Sequence, residues 1–155
     1  MQWIFGAAVA LAIACARDET TARANDCAAT PDANRAIVLA FYRDGLEKRD
    51  PKAAFAQYMT PDFVEHKPDV ATGTRDSTAA FLERLMQDMP AAAWQVHRTV
   101  AEGDLVFLHA SFTPAPAAPA YAIADVFRLQ KCKIVEHWDA VAPPPDHPLN
   151  PHSRF

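Results

Sequence analysis

The chain has 155 residues, enough for one domain with its own core. Half of the residues are apolar, 22% are charged and the formal net charge is −4, with no basic stripe, so nothing favours nucleic acid as a partner. Only 4 glycines are present, with no GxGxxG or P-loop pattern, which argues against a glycine-rich phosphate cradle.

Trp3–Ala14 is an uncharged apolar run that ends at Ala12-Ile13-Ala14-Cys15. It is shorter than the roughly 20 residues of a membrane span and matches the apolar region of an export signal. Small residues directly before Cys15 resemble a bacterial lipobox, in which that cysteine is lipidated. A second cleavage pattern follows Ala22-Arg23-Ala24. Residues 1–15 are therefore read as an export and lipoprotein signal, 16–29 as a flexible tether and 30–155 as the domain. That places the protein at the bacterial cell envelope, with only a lipid anchor in the membrane. In an oxidising compartment Cys27 and Cys132 form an even pair, either one disulfide or two unrelated thiols.

Three helices open the domain. Thr30-Pro31 is a cap followed by proline at the first helical position, ahead of an Ile37, Val38, Phe41, Tyr42 stripe. Asp50-Pro51 repeats the signal for a short helix that Thr60-Pro61 breaks. Phe63 to His66 reads as a short extended piece. Thr74 caps a third helix, whose apolar face runs from Phe81 to Met89.

The second half alternates with period two. Trp94, Val96, Arg98 and Val100 share one strand face. Leu105–Thr113 places His109 with Leu105, Phe107 and Ser111. After a proline-rich loop, Tyr121–Leu129 and Ile134–Val141 give two more strands joined at Lys131-Cys132. Pro143-Pro144-Pro145 ends regular structure. Helices followed by a strand meander argue an α+β fold: a curved antiparallel sheet packed against about three N-terminal helices, forming a cone.

Asp125 shares its strand face with Tyr121, Ile123 and Phe127. A carboxylate on an aromatic face is costly to desolvate, which raises its pKa toward the range of general acid–base work. The alternative is an ion pair with Arg98 or Arg128, or a wet rim. His109 is either a satisfied wall residue or a ligand partner. His66 is either an exposed loop residue or a side chain at the cavity mouth. In the last strand Glu136 and Trp138 share one face and His137 and Asp139 the other; Ile134 and Val135 are both apolar and do not say which faces inward. Trp138 is a pocket wall or a sheet–helix anchor. The 6 histidines show no metal-ligand spacing, and neither a metal nor a cofactor is expected.

Phe63-Val-Glu-His66-Lys-Pro68, Gly73, Ala101-Glu-Gly-Asp104-Leu-Val106, His109, Ala124-Asp125-Val-Phe127-Arg128 and Lys133-Ile-Val-Glu-His-Trp-Asp139 occur in this order. Together they resemble the SnoaL-like proteins of the nuclear-transport-factor-2-like superfamily, over residues 33–155. The resemblance implies a cone with one deep apolar pocket, a hydrophobic small-molecule ligand and, in its name-giving members, cofactor-free aldol cyclisation. It implies Asp125 as the acid–base group, with His66 and His109 as polar partners that hold an enolate. Phe107, Tyr121, Phe127, His137 and Trp138 become candidate pocket residues. Superfamily sheets also pair into homodimers. The reading from another class is a non-catalytic ligand-binding or scaffold lipoprotein of the envelope.

Overall fold

The computed structural model describes residues 29–155. The expected signal, the lipidation site Cys15 and the Cys27 half of the expected disulfide lie outside the described residues. Cys132 is disulfide-bonded.

Helix α1 spans Pro31–Phe41, capped by Thr30, whose hydroxyl accepts from the Ala33 N–H at 3.2 Å. It continues as a π-helical segment, Tyr42–Glu47, which carries Tyr42 and Leu46 into the core. Gly45 there lies against α2 (Pro51–Tyr58), where a Cβ would stand 3.0 Å from that of Ala54. Asp50 caps α2 through the Ala53 N–H. Helix α3, Arg75–Asp88, starts with a capping box between Thr74 and Ser77. Just before it, Gly73 has a φ of +58°, and a Cβ would stand 2.6 Å from the Glu65 carbonyl oxygen. That close approach requires glycine.

Five strands follow the order β1-β5-β4-β3-β2 in one sheet: β1 Met59–Glu65, β2 Ala93–Glu102, β3 Leu105–Thr113, β4 Tyr121–Gln130 and β5 Lys133–Ala142. The antiparallel meander expected from the sequence holds for β2 to β5. The extended piece before His66 belongs to a fifth strand, β1, which joins β5 in parallel, so the sheet is mixed. Pro61 is tolerated because β1 is an edge strand with an irregular register between Met59 and Val64.

The α+β cone is closed by the helices on the concave side of the sheet. Val38, Phe41 and Phe55 from the helices meet Val106, Leu108 and Phe127 from the strands. Asn34 is buried in this layer and donates its Nδ2 to the Gly103 carbonyl at 3.1 Å, tying α1 to the β2–β3 turn. One expected face is split. A register shift between Val96 and Arg98 sends Trp94 and Val96 inward and turns Arg98 and Val100 outward. A bulge inserts one residue and reverses the alternation beyond it.

Candidate active site

A cavity of about 260 Å³ lies between the helices and the inner face of the sheet. Its walls are mostly apolar, with Phe41, Leu46, Phe55, Leu82, Trp94 and Phe112 among them. Its polar side chains include Tyr42 from the π-helical segment, Glu65 at the end of β1 with Lys67 just beyond it, Asp125 from β4, and His137 and Asp139 from β5. The register explains why the last three gather. Asp125 is opposite Asp139 and Phe127 is opposite His137, all on the concave face.

Asp125 is 4% exposed. One of its oxygens accepts the Tyr42 hydroxyl and the other the His137 Nε2–H at 3.2 Å. The other ring nitrogen of His137, Nδ1, stands 2.9 and 3.0 Å from the two Glu65 oxygens. Ionised carboxylates only accept, so both ring nitrogens carry protons and the ring is an imidazolium. Burial by itself lowers a histidine's pKa; hydrogen bonds and charge from Asp125 and Glu65 outweigh it and push His137 up to about 10. Phe127 stacks on this ring with centroids 4.5 Å apart. The Tyr42 phenol is held well above its ordinary range, first by burial and then by the Asp125 charge.

Glu65 has a second anchor. The Lys67 backbone N–H donates to its Oε1 at 2.9 Å. The Lys67 ammonium meets Asp139 Oδ2 at 2.7 Å and Asp69 at 3.6 Å. Burial lowers the pKa of this amine, and Asp139 with Asp69 more than reverses that, so it stays protonated. The chemistry available is proton transfer at Asp125 inside an apolar enclosure with two fixed cations. Among the described residues no group of three or more His, Cys, Asp or Glu is arranged to hold a metal ion.

Of the residues singled out from the sequence, Asp125, Tyr121, Phe127 and His137 line the cavity. The partners of Asp125 are Tyr42 and His137 rather than Arg98 or Arg128. His66, His109, Phe107 and Trp138 do not reach the cavity. His66 stacks on Trp138 at 4.7 Å on the convex face and bonds Glu136 at 2.8 Å, which also pairs with Arg128. His109 and Phe107 follow the period-two alternation outward, opposite the buried Leu108 and Ala110. His109 bonds Arg98 at 3.0 Å and lies under Phe155, which also stacks on His97 at 4.7 Å. Arg154 pins that tail to the carbonyls of Ala142 and Pro143.

Tyr42, Glu65, Lys67 and Asp139 were not singled out as site residues from the sequence. Tyr42 reads as part of an apolar helical stripe. Glu65 carried a signal: it is two residues from Phe63, which puts both on one face of β1, and Phe63 is buried.

The SnoaL-like domain family matches residues 38–137, which include Tyr42, Glu65, Lys67, Asp125 and His137. A putative SnoaL-like polyketide cyclase from Jannaschia sp. CCS1 is 22% identical over 75% of this chain and 90% of its own, with a TM-score of 0.62. A putative polyketide cyclase from Bacillus cereus is 17% identical over 70% and 74%, with a TM-score of 0.62. A protein with a cystatin-like fold from Methylobium petroleophilum is 14% identical over 75% and 80%, also at 0.62. At these identities the likeness is one of fold. No curated protein matches the chain. With most of the domain covered by one family and the expected cone formed around it, the chain belongs to the SnoaL-like domain family.

Proposed function

We propose that this chain is an exported small-molecule enzyme of the bacterial envelope, catalysing cofactor-free enolisation or aldol-type chemistry on an apolar carbonyl compound. The observation that carries the reading is Asp125, set in an apolar cavity between Tyr42 and an imidazolium. Asp125 takes a proton from the carbon next to the carbonyl. The C–H bond breaks, its electron pair moves toward the carbonyl, and an enolate forms. His137 stays charged between Asp125 and Glu65 and keeps the carboxylate aimed into the cavity. The likeness to putative polyketide cyclases supports a carbonyl substrate. Export and lipid anchoring at Cys15 rest on the Trp3–Ala14 run before that cysteine.

The test is deuterium uptake in heavy water by a panel of enolisable ketones and esters, followed by NMR. Uptake by the wild type that Asp125→Asn abolishes, with ligand binding retained, is the expected result. Panel members that bind without exchange would instead make this a ligand-binding protein. A homodimer belongs to the same proposal, formed through Val100, Leu105 and Phe107, which are exposed on the convex face. Sedimentation of the mature domain at about twice the monomer mass checks it.

A further inference from the structure

Enolisation needs a donor for the oxygen that becomes negative, and most donors in the cavity are already engaged. His137 gives both N–H groups to carboxylates. Tyr42 gives its only O–H to Asp125. Thr78 gives its hydroxyl to the Thr74 carbonyl at 2.8 Å. Among the described residues of the cavity wall, three side-chain donors remain: Lys67, Tyr121 and Trp94.

Distance separates these three. Tyr121 lies four residues from Asp125 along β4, roughly 13 Å of strand. Trp94 pairs with Phe112, which pairs with Tyr121, so it sits level with Tyr121, two strands further across the sheet and farther still from Asp125. Lys67 is bonded to Asp139, and Asp139 is the direct cross-strand partner of Asp125. Side chains so paired have Cβ atoms about 5 Å apart. An enolate oxygen is two bonds from the carbon that loses the proton, so its donor must stand close to the base. Lys67 also has three N–H groups, of which Asp139 takes one at 2.7 Å and Asp69 is more distant at 3.6 Å.

We infer that the Lys67 ammonium receives the carbonyl oxygen and holds the enolate, while Asp139 fixes its position. This rests on the enolisation reading above and adds a residue to it. Charge balance is kept through the step. The proton moves to Asp125, neutralising one carboxylate, as the substrate oxygen becomes negative beside the ammonium. The substrate class is then a mostly apolar ketone or ester whose carbonyl lies at the Lys67–Asp139 end of the cavity.

The probe is 2-naphthol, a planar enolate mimic whose neutral and ionised forms differ in absorbance and fluorescence. Its ionisation when bound needs no turnover. The wild type should lower its pKa by at least one unit, about a tenfold preference for the anion. Lys67→Met should remove that preference. Asp139→Asn should strengthen it, because the ammonium loses a competing anion. A structural ion pair would give losses of the same sign in both. Because Lys67→Met leaves the mostly enclosed Asp139 without its cation, Lys67→Met/Asp139→Asn is measured beside it and should also lack the preference. The inference is overturned by a wild type that does not favour the anion. It is equally overturned by a preference that survives Lys67→Met, or that vanishes only in Tyr121→Phe. Failure of the enolisation reading looks different: no deuterium uptake, with a Lys67-dependent naphtholate intact.

Discussion

On the concave face of the sheet His137 lies between Asp125 and Glu65, with side-chain exposures of 14%, 6% and 2%. On the convex face His66 bonds Glu136 and lies flat on Trp138, with 39% of its side chain exposed. Both are histidine–carboxylate pairs, and His137 and Glu136 are neighbours in the chain. Their physical consequences diverge because water reaches one and not the other. In the cavity an unpaired charge has little solvent to turn to, so the two carboxylates hold His137 as an imidazolium at neutral pH. Outside, water screens the pair and leaves little net energy in it. Residue type alone therefore says little about chemistry here; the side of the sheet decides.

The comparison breaks most sharply at Asp125. Asp125→Asn should slow proton exchange by about 10²–10⁴-fold, the usual contribution of a positioned acid–base group. Glu136→Gln, on the convex face, should leave the exchange rate unchanged. Rates from NMR deuterium uptake on the two variants settle the contrast.

Stability should divide the faces next. His137→Gln leaves Glu65 and Asp125 buried without their shared cation and should cost about 3–5 kcal/mol in urea unfolding. The pH profile sharpens the same point. His137 has a pKa of about 10 in the fold against an ordinary 6.5, so protons bind more tightly to the folded state. Its contribution is complete below about pH 6.5 and is lost as pH rises through about 10. Urea midpoints should therefore fall between pH 7 and pH 10, and His137→Gln should flatten that fall. Tyr42, whose pKa is also raised, continues the decline at still higher pH. The smallest effect is expected from His66→Ala. Its urea midpoint should stay close to the wild type, since an exposed pair and one stacked face are lost while the core is untouched.

Much of the architecture is legible in the sequence. Thr30-Pro31, Asp50-Pro51 and Thr74 are the observed helix caps, because capping is set by residues within one turn. Alternation puts Asp125, Tyr121 and Phe127 on one face, and that face lines the cavity, because alternation in a regular strand is local. The reading failed where an irregular or long-range feature intervenes. The bulge at His97 reverses a face that period two alone would keep continuous. The parallel pairing of β1 with β5 joins segments about 70 residues apart, and it is what brings Glu65 to His137 and Lys67 to Asp139.

The histidines show the limit most clearly. His66 and His109 were expected beside Asp125 on the strength of the family's pattern, and His137 only as a pocket residue. Their alternation was read correctly in relative terms: His109 with Phe107, His137 with Asp139. What the sequence could not supply was the sign, which face of each strand looks into the cone. That sign follows from where the helices settle, and they settle on the face that buries Val106, Leu108 and Ile134. The sequence by itself determined the α+β class, the caps, the strand periods and Asp125 as the carboxylate on an aromatic face, because each depends on neighbours a few residues away. Only the tertiary structure decided that His137, Tyr42, Glu65 and Lys67 surround that carboxylate. Their meeting depends on hydrophobic burial and strand pairing across most of the domain, which no local spacing encodes.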